Sequence, residues 1–210
     1  MYVKDYMSTN LITIEPTTSL LQCQDLLKQH RINRLPVVQN NRLVGLVTHD
    51  LLIESLPSNA SSLDRHEVNY LLDKATAKDI MLTQVPTVPP LCLLNEAAQQ
   101  MTDKNIGALV VTEVNELVGI ITDKDIFRAF VDISGAQTPG KSLVLEVAED
   151  RIGIVEEVGE ALRSCQINLT HMMVYHLNDL IRIVLHVDAT DVTALVEALE
   201  ARHFTVHSVI

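Results

Sequence analysis

Apolar positions in this chain follow a helical period, then a strand period, in an order that is written twice before a different order takes over. After Pro16, Leu20, Cys23 and Leu27 recur at i, i+3 and i+7, and Leu94, Ala97 and Met101 do the same after Pro90. Each set makes one apolar helix stripe. Thr18 or Ser19 is placed to cap the first helix and Asn95 the second. Short apolar runs at 35–38 and 108–111 read as strands, the segments around Asn40-Asn41 and Val114-Asn115-Glu116 as turns, and 43–48 and 117–122 as returning strands. Their unbroken apolar character suits burial under helices. Closing helices are expected at 50–56 and 124–131.

The two passes are one sequence repeated at an offset of 74. Lys4-Asp5-Tyr6-Met7 recurs as Lys78-Asp79-Ile80-Met81, and Thr13, Pro16 and Leu20 recur as Thr87, Pro90 and Leu94. Ile32, Leu35 and Val37 match Ile106, Leu109 and Val111, and 41–48 match 115–122, all without a gap. A constant register over a whole unit marks duplicated structure. The unit is a β-α-β-β-α layout of roughly 55 residues, small enough to need its twin to complete a core. Between the copies, 57–62 is a loop by composition, while Val68, Leu71 and Leu72 suggest a short packed helix over 63–72, with His66 and Glu67 as surface groups.

A Gly- and Pro-bearing stretch at 134–141 reads as a linker. Beyond it the pattern predicts strand 142–147, helix 153–165, strand 167–175, strand 180–187, helix 191–202 and strand 205–210. Val155, Val158 and Leu162 mark the inner stripe of the first of these helices, with Ala161 and Cys165 nearby. In the third strand Ile181, Ile183, Leu185 and Val187 take one face and Arg182 and His186 the other, the alternation of a sheet covered on one side. This split β-α-β order, repeated, is ferredoxin-like. The expected organisation is therefore α/β (α+β): repeats at 1–56 and 75–133 joined by 57–74, then a linker at 134–141 and a third domain at 142–210.

Composition narrows the chemistry. The net charge of -11 and the absence of a basic run exclude nucleic acid as an expected partner, and aromatics at 3% offer no stacking platform. No apolar run has signal-peptide or membrane-span length, so no membrane association is expected and the protein reads as cytoplasmic. Cys23, Cys92 and Cys165 are far apart and read as free thiols. His171, His176, His186, His203 and His207 lie on different strands and helix ends without ligand spacing, and Met172-Met173 reads as core or dimer contact, so no metal site is expected. There is no nucleophile with an oriented base and no GxxxxGK[ST] loop; no catalytic residue and no catalytic cofactor is assigned.

Gly119-Ile120-Ile121-Thr122-Asp123-Lys124-Asp125, at the end of the last strand of the second copy, resembles the signature of the cystathionine-β-synthase (CBS) domain, and two copies resemble the family's paired module with two clefts. The resemblance implies that the Asp125 carboxylate accepts ribose hydroxyls, that Thr122 supports sugar or phosphate, and that Lys124 reaches the phosphates. A strand end that opens a helix offers free N–H groups to an anion, and a fixed carboxylate suits a cis-diol. Thr83, Val85, Ile106 and Ala108 complete this second-repeat site, the aliphatic ones enclosing adenine. The first copy departs from the signature: Leu51 stands where Asp125 does, and the nearest acid is Asp50. Its site would comprise Thr9, Arg34, Thr48, His49 and Asp50, with Arg34 facing phosphates. AMP, ADP, ATP or S-adenosylmethionine are the implied ligands.

The third domain resembles the ACT domain, carried by its element order and the Asp150-Arg151-Ile152-Gly153-Ile154-Val155 turn, where Ile152 replaces the family's Pro. The resemblance implies an effector or pairing loop formed by Arg151, Gly153 and Ile154 with Asn168. The order of paired CBS then ACT is similar to that of acetoin-utilisation regulators. It implies a non-catalytic sensor tied to acetoin or related carbon catabolism, acting on an unknown regulated protein or through self-association such as a homodimer. The alternative is a constitutive scaffold with degenerate clefts.

Overall fold

The computed structural model describes residues 1–55, 72–147, 151–177 and 180–210. The loop and helix expected between 57 and 71 lie outside the described residues. The chain divides into two units, Met1–Ile126 and Phe127–Ile210, and each is described by itself.

In the first unit the element order is α1 (Leu20–His30), β1 (Arg34–Gln39), β2 (Arg42–Thr48) and α2 (His49–Glu54), then α3 (Ala77–Ile80), β3 (Thr87–Val88), α4 (Leu94–Asp103), β4 (Ala108–Glu113), β5 (Glu116–Thr122) and the start of α5 (Asp123–Ser134). The helix stripes are as expected: Leu20, Cys23 and Leu27 are buried on α1, and Leu94, Ala97 and Met101 on α4. Ser19 caps α1, its hydroxyl accepting the Gln22 amide at 3.3 Å. Asn95 does not cap α4. The helix already includes it, and Glu96 instead reaches back to accept the Leu93 amide at 3.4 Å. Both hairpins turn on two residues with positive φ, Asn40-Asn41 (51°, 61°) and Val114-Asn115 (50°, 69°), as the twist of paired strands requires.

The strands form one sheet in the order β1-β2-β5-β4-β3. Its two halves meet at Arg42↔Glu116, a residue paired with its own repeat equivalent. Among the described residues, the other backbone links between the copies are reciprocal under the same offset. The Val3 amide donates to Cys92 O and the Ala77 amide to Thr18 O; Ser8 bridges Ile120, and Leu82 bridges Leu46. Each copy thus lends its leading segment to the other. Ala77 belongs to the core of the first copy, with Ile14, Cys23, Leu35, Val37, Val47 and Leu52. The crossings are tight: a Cβ on Gly119 would come within 3.1 Å of Ser8 O and against Met7, and one on Gly45 would meet Leu82 O and Met81 in the same way.

The second unit continues from α5 with β6 (Lys141–Val147), α6 (Ile154–Ser164), β7 (Leu169–Leu177), β8 (Leu180–Val187), α7 (Thr193–Glu200) and β9 (Thr205–Val209). Its antiparallel sheet has the order β7-β8-β6-β9, which is the ferredoxin-like arrangement. Leu143, Leu145, Ile183 and Leu185 pack under Val158, Leu162, Leu195 and Leu199. On α6 the buried stripe is Ile154, Val158, Ala161 and Leu162, while Val155, expected inside, is 63% exposed. Successive residues are about 100° apart on a helix, so with Val158 and Ala161 inward the first turn is filled by Ile154 and Val155 falls at the solvent edge of the stripe. The stretch read as a linker is laid on the open face of the sheet. Thr138 O accepts from His186 Nε2 at 3.0 Å, Ser142 Oγ stands 2.8 Å from His186 Nδ1, and a Cβ on Gly135 would press on the His171 ring. This cover explains why His186, on the face expected to be polar, is buried with both ring nitrogens engaged.

Candidate functional site

Two clefts in the first unit are equivalents of each other under the offset of 74, and each takes residues from both copies. One, of about 400 Å³, runs between Ser8, Asn10, Leu11 and Ile12, the end of α1 through Pro36 (Arg31, Ile32, Asn33, Arg34), and the far end of β5 with the start of α5 (Ile120, Thr122, Asp123, Lys124). The other, of about 460 Å³, is lined by Leu82, Gln84 and Pro86, by Asn105 to Ala108, and by Leu46, Thr48, His49 and Asp50, with Asn33 and Arg34 reaching it as well. Mixing of copies follows from the exchanged leading segments: Ser8 is bridged to Ile120, so residues 8–12 are carried to the end of β5.

This redistributes the residues assigned by repeat. Thr122 and Lys124 line the first cleft together with Arg34, whereas Ile106 and Ala108 line the second with Thr48, His49 and Asp50. Thr83 and Val85 line a separate hollow beside Arg42, Thr87 and Thr112, and Val85 also packs against the cluster of Leu46, Ala108, Val110 and Ile120. Thr9 is exposed between the cleft-lining Ser8 and Asn10. Arg31, Asn33 and Ile12 were not anticipated. The signal for Arg31 was its place at the end of α1, where it holds the left-handed C-cap (φ 52°); its equivalent Asn105 is also left-handed (φ 50°), one residue beyond the Lys104 cap of α4.

Asp125 is buried, and its Oδ2 accepts both the Thr122 amide at 2.9 Å and the Thr122 hydroxyl at 2.8 Å. One carboxylate oxygen therefore already fixes the strand end, and Asp123 Oδ1 takes the Lys124 amide at 2.8 Å. In the first copy, where Leu51 replaces the acid, the Thr48 hydroxyl caps α2 by accepting the Leu51 amide at 3.2 Å. The Asp50 side chain is 91% exposed, 3.8 Å from His49 Nδ1. Arg34 projects between the clefts: a Cβ on Gly107 would lie 3.1 Å from its guanidinium and 3.3 Å from the Asp123 carboxylate. Among the described residues, the side chains of Arg31, Arg34 and Lys124 have no ion-pair or hydrogen-bond partner. Such cations beside aliphatic walls suit a ligand with an apolar ring and an anionic end.

In the second unit the proposed effector loop is occupied by its own contacts. Arg151 pairs with Glu157 at 2.6 Å, lies 5.7 Å from the Phe204 ring centre, and holds the Glu157 carboxyl below its usual range. Gly153 takes φ 96° at the start of α6, and Ile154 is part of the core. Asn168 does not join them. Its Nδ2 donates to Asp188 at 3.3 Å, beyond the end of β8 that pairs with Lys141, whereas the loop follows Val147 at the opposite end of β6. Seven residues of strand separate those ends by roughly 20 Å. No group of three or more His, Cys, Asp or Glu positioned for a metal occurs among the described residues, and no described helix is long and apolar enough to cross a membrane.

Comparison with known proteins gives these elements relatives. The uncharacterised protein MJ1225 of Methanocaldococcus jannaschii is 28% identical over 137 residues, 62% of this chain and 49% of that protein, so the chain spans about half the length of that relative. The CBS-domain pair of protein MJ0100, solved with 5'-methylthioadenosine and S-adenosyl-L-methionine, is 28% identical and covers 63% of this chain and 97% of its own, with TM-score 0.52. A putative acetoin utilization protein (AcuB) of Vibrio cholerae is 29% identical over 65% of this chain and 95% of its own, with TM-score 0.55. CBSX2, solved in complex with AMP, is 28% identical over 63% and 97%, with TM-score 0.52. The model of the CBS domain matches residues 3–58 and 77–132, the two copies found by the offset and more than half of the chain. The chain belongs to the CBS-domain family.

Proposed function

We propose that this protein is a non-catalytic sensor of adenosyl ligands. The observation that carries the reading is the cleft in which Leu11, Ile12, Ile32 and Ile120 face Arg31, Arg34 and Lys124 beside Thr122, whose amide and hydroxyl donate to Asp125, a buried carboxylate next to the wall and not itself on it. Adenine lies among the aliphatic side chains, the ribose at the strand end held by Thr122 and Asp125, and phosphate at the cations. The solved relatives that hold AMP, 5'-methylthioadenosine and S-adenosyl-L-methionine support this ligand class. Because each cleft takes walls from both copies, a ligand binds one arrangement of the copies better than another, and that difference is what a sensor transmits. The ferredoxin-like unit acts as an ACT-like pairing or effector module, so that ligand changes self-association or partner binding. The likeness to the acetoin utilization protein supports a place in acetoin or related carbon catabolism.

The test is calorimetric titration of the whole chain with AMP, ADP, ATP and S-adenosylmethionine, repeated on Asp125→Ala. Binding should weaken ten- to hundredfold in the variant, the loss of a charge-assisted contact worth about 1.5 to 3 kcal/mol. Undiminished binding removes Asp125 from the site. The competing reading, a constitutive scaffold with degenerate clefts, rests on Leu51 in the first copy. It requires that no adenosyl compound bind.

A further inference from the structure

We infer that the two clefts divide adenosyl ligands by charge: the cleft ending at Lys124 takes the phosphorylated ligand, and the cleft ending at Asp50 takes an unphosphorylated one. This rests on the adenosyl reading above and specifies it. The clefts are the same structure twice, so position-by-position comparison isolates what differs. Arg31 of the first cleft is Asn105 in the second, and Lys124 is Asp50. Two cations are thus exchanged for an amide and an acid, in a protein whose net charge of -11 otherwise repels phosphate. Arg34 stands on the wall of both clefts but has Ala108 as its equivalent, so one guanidinium is shared where symmetry would have supplied two. One exchange runs the other way, Asp123 for His49. It narrows the difference without cancelling it: the first cleft sets Arg31, Arg34 and Lys124 against the single acid Asp123, whereas the second sets Arg34 alone against Asp50.

The experiment is a titration of the full chain at about pH 8 followed by amide NMR, reading Thr122 and Lys124 for one cleft and Thr48 and Asp50 for the other. Adenosine, AMP and inorganic pyrophosphate are the probes. Pyrophosphate should move the first pair of amides and leave the second. AMP should bind the first cleft about tenfold more tightly than adenosine and the second no more than about twofold more tightly. Lys124→Gln should weaken AMP about fivefold at the first cleft and leave adenosine unchanged, while Asp50→Lys, at an exposed side chain, should give the second cleft a preference for AMP. Pyrophosphate that moves both pairs alike or neither, or an equal preference for AMP in both clefts, overturns the division. Adenosine that moves neither pair, while pyrophosphate still selects the first, overturns the adenosyl reading and leaves the charge difference standing.

Discussion

Val114 and Cys23 show how single residues depart from, or obey, what their positions ask. The turn at Val114-Asn115 was legible from its twin at Asn40-Asn41, yet Val114 is a β-branched residue held at φ 50° and 91% exposed. That conformation costs an L-residue about 1 to 2 kcal/mol, and Asn tolerates it best after Gly. With no packing to lose, Val114→Asn should stabilise the protein by about 1 kcal/mol, read as a rise in melting temperature of about 2 to 4 °C. Cys23, a free thiol, lies in the core of the first copy, where burial pushes its pKa up to about 11. Since the thiolate is the reactive form, alkylation near pH 8 should label the partly exposed Cys165 first and spare Cys23 until unfolding. Mass spectrometry of the modified chain decides the order.

At the scale of elements, periodicity located nearly every helix and strand, because side-chain burial repeats with the backbone that carries it. It could not show that the leading segments change places. An offset tells which residues are equivalent, whereas the bonds from Val3 to Cys92 and from Ala77 to Thr18 join residues far apart in the chain. The same limit hid the cover over His186, and put Ile106 and Thr122 in one site when they line different clefts. The exchange predicts that Gly119→Ala, by pressing on Met7 and Ser8 O, destabilises the protein by about 1 to 3 kcal/mol. Met7→Ala should restore part of that loss in denaturant titrations. The twin segment, which leads to Met81 and the crossing at Gly45, has a pH signature. Asp79 caps α3 by accepting the Thr76 amide at 2.8 Å and its hydroxyl at 2.9 Å, and these bonds lower its pKa. A carboxyl lowered by folding contributes stability above its unfolded pKa and loses it as pH falls through the folded value. Asp79→Asn should therefore flatten the loss of stability on acidification below about pH 5, measured by denaturant midpoints across that range.

For the whole molecule, the duplicated unit and the ferredoxin-like unit were both readable from order and spacing. The CBS signature also marked the strand end that the structure places on a cleft wall, with Thr122 and Lys124 in place. The signature does not extend to Arg31: its place at the end of α1 is visible in the sequence, but only folding brings it into the same cleft as Lys124. Asn168 and Arg151 were joined on resemblance, and the register of β6 with β8 keeps them at opposite ends of the sheet. On the proposed function an adenosyl ligand sits between the copies and touches both. A crystal structure of the protein grown with AMP tests that directly. It should show adenine against Ile12 and Ile32, ribose at Thr122 and Asp125, and phosphate at Arg34 and Lys124. AMP bound elsewhere, or that cleft empty in crystals of a chain that demonstrably binds AMP, would contradict it.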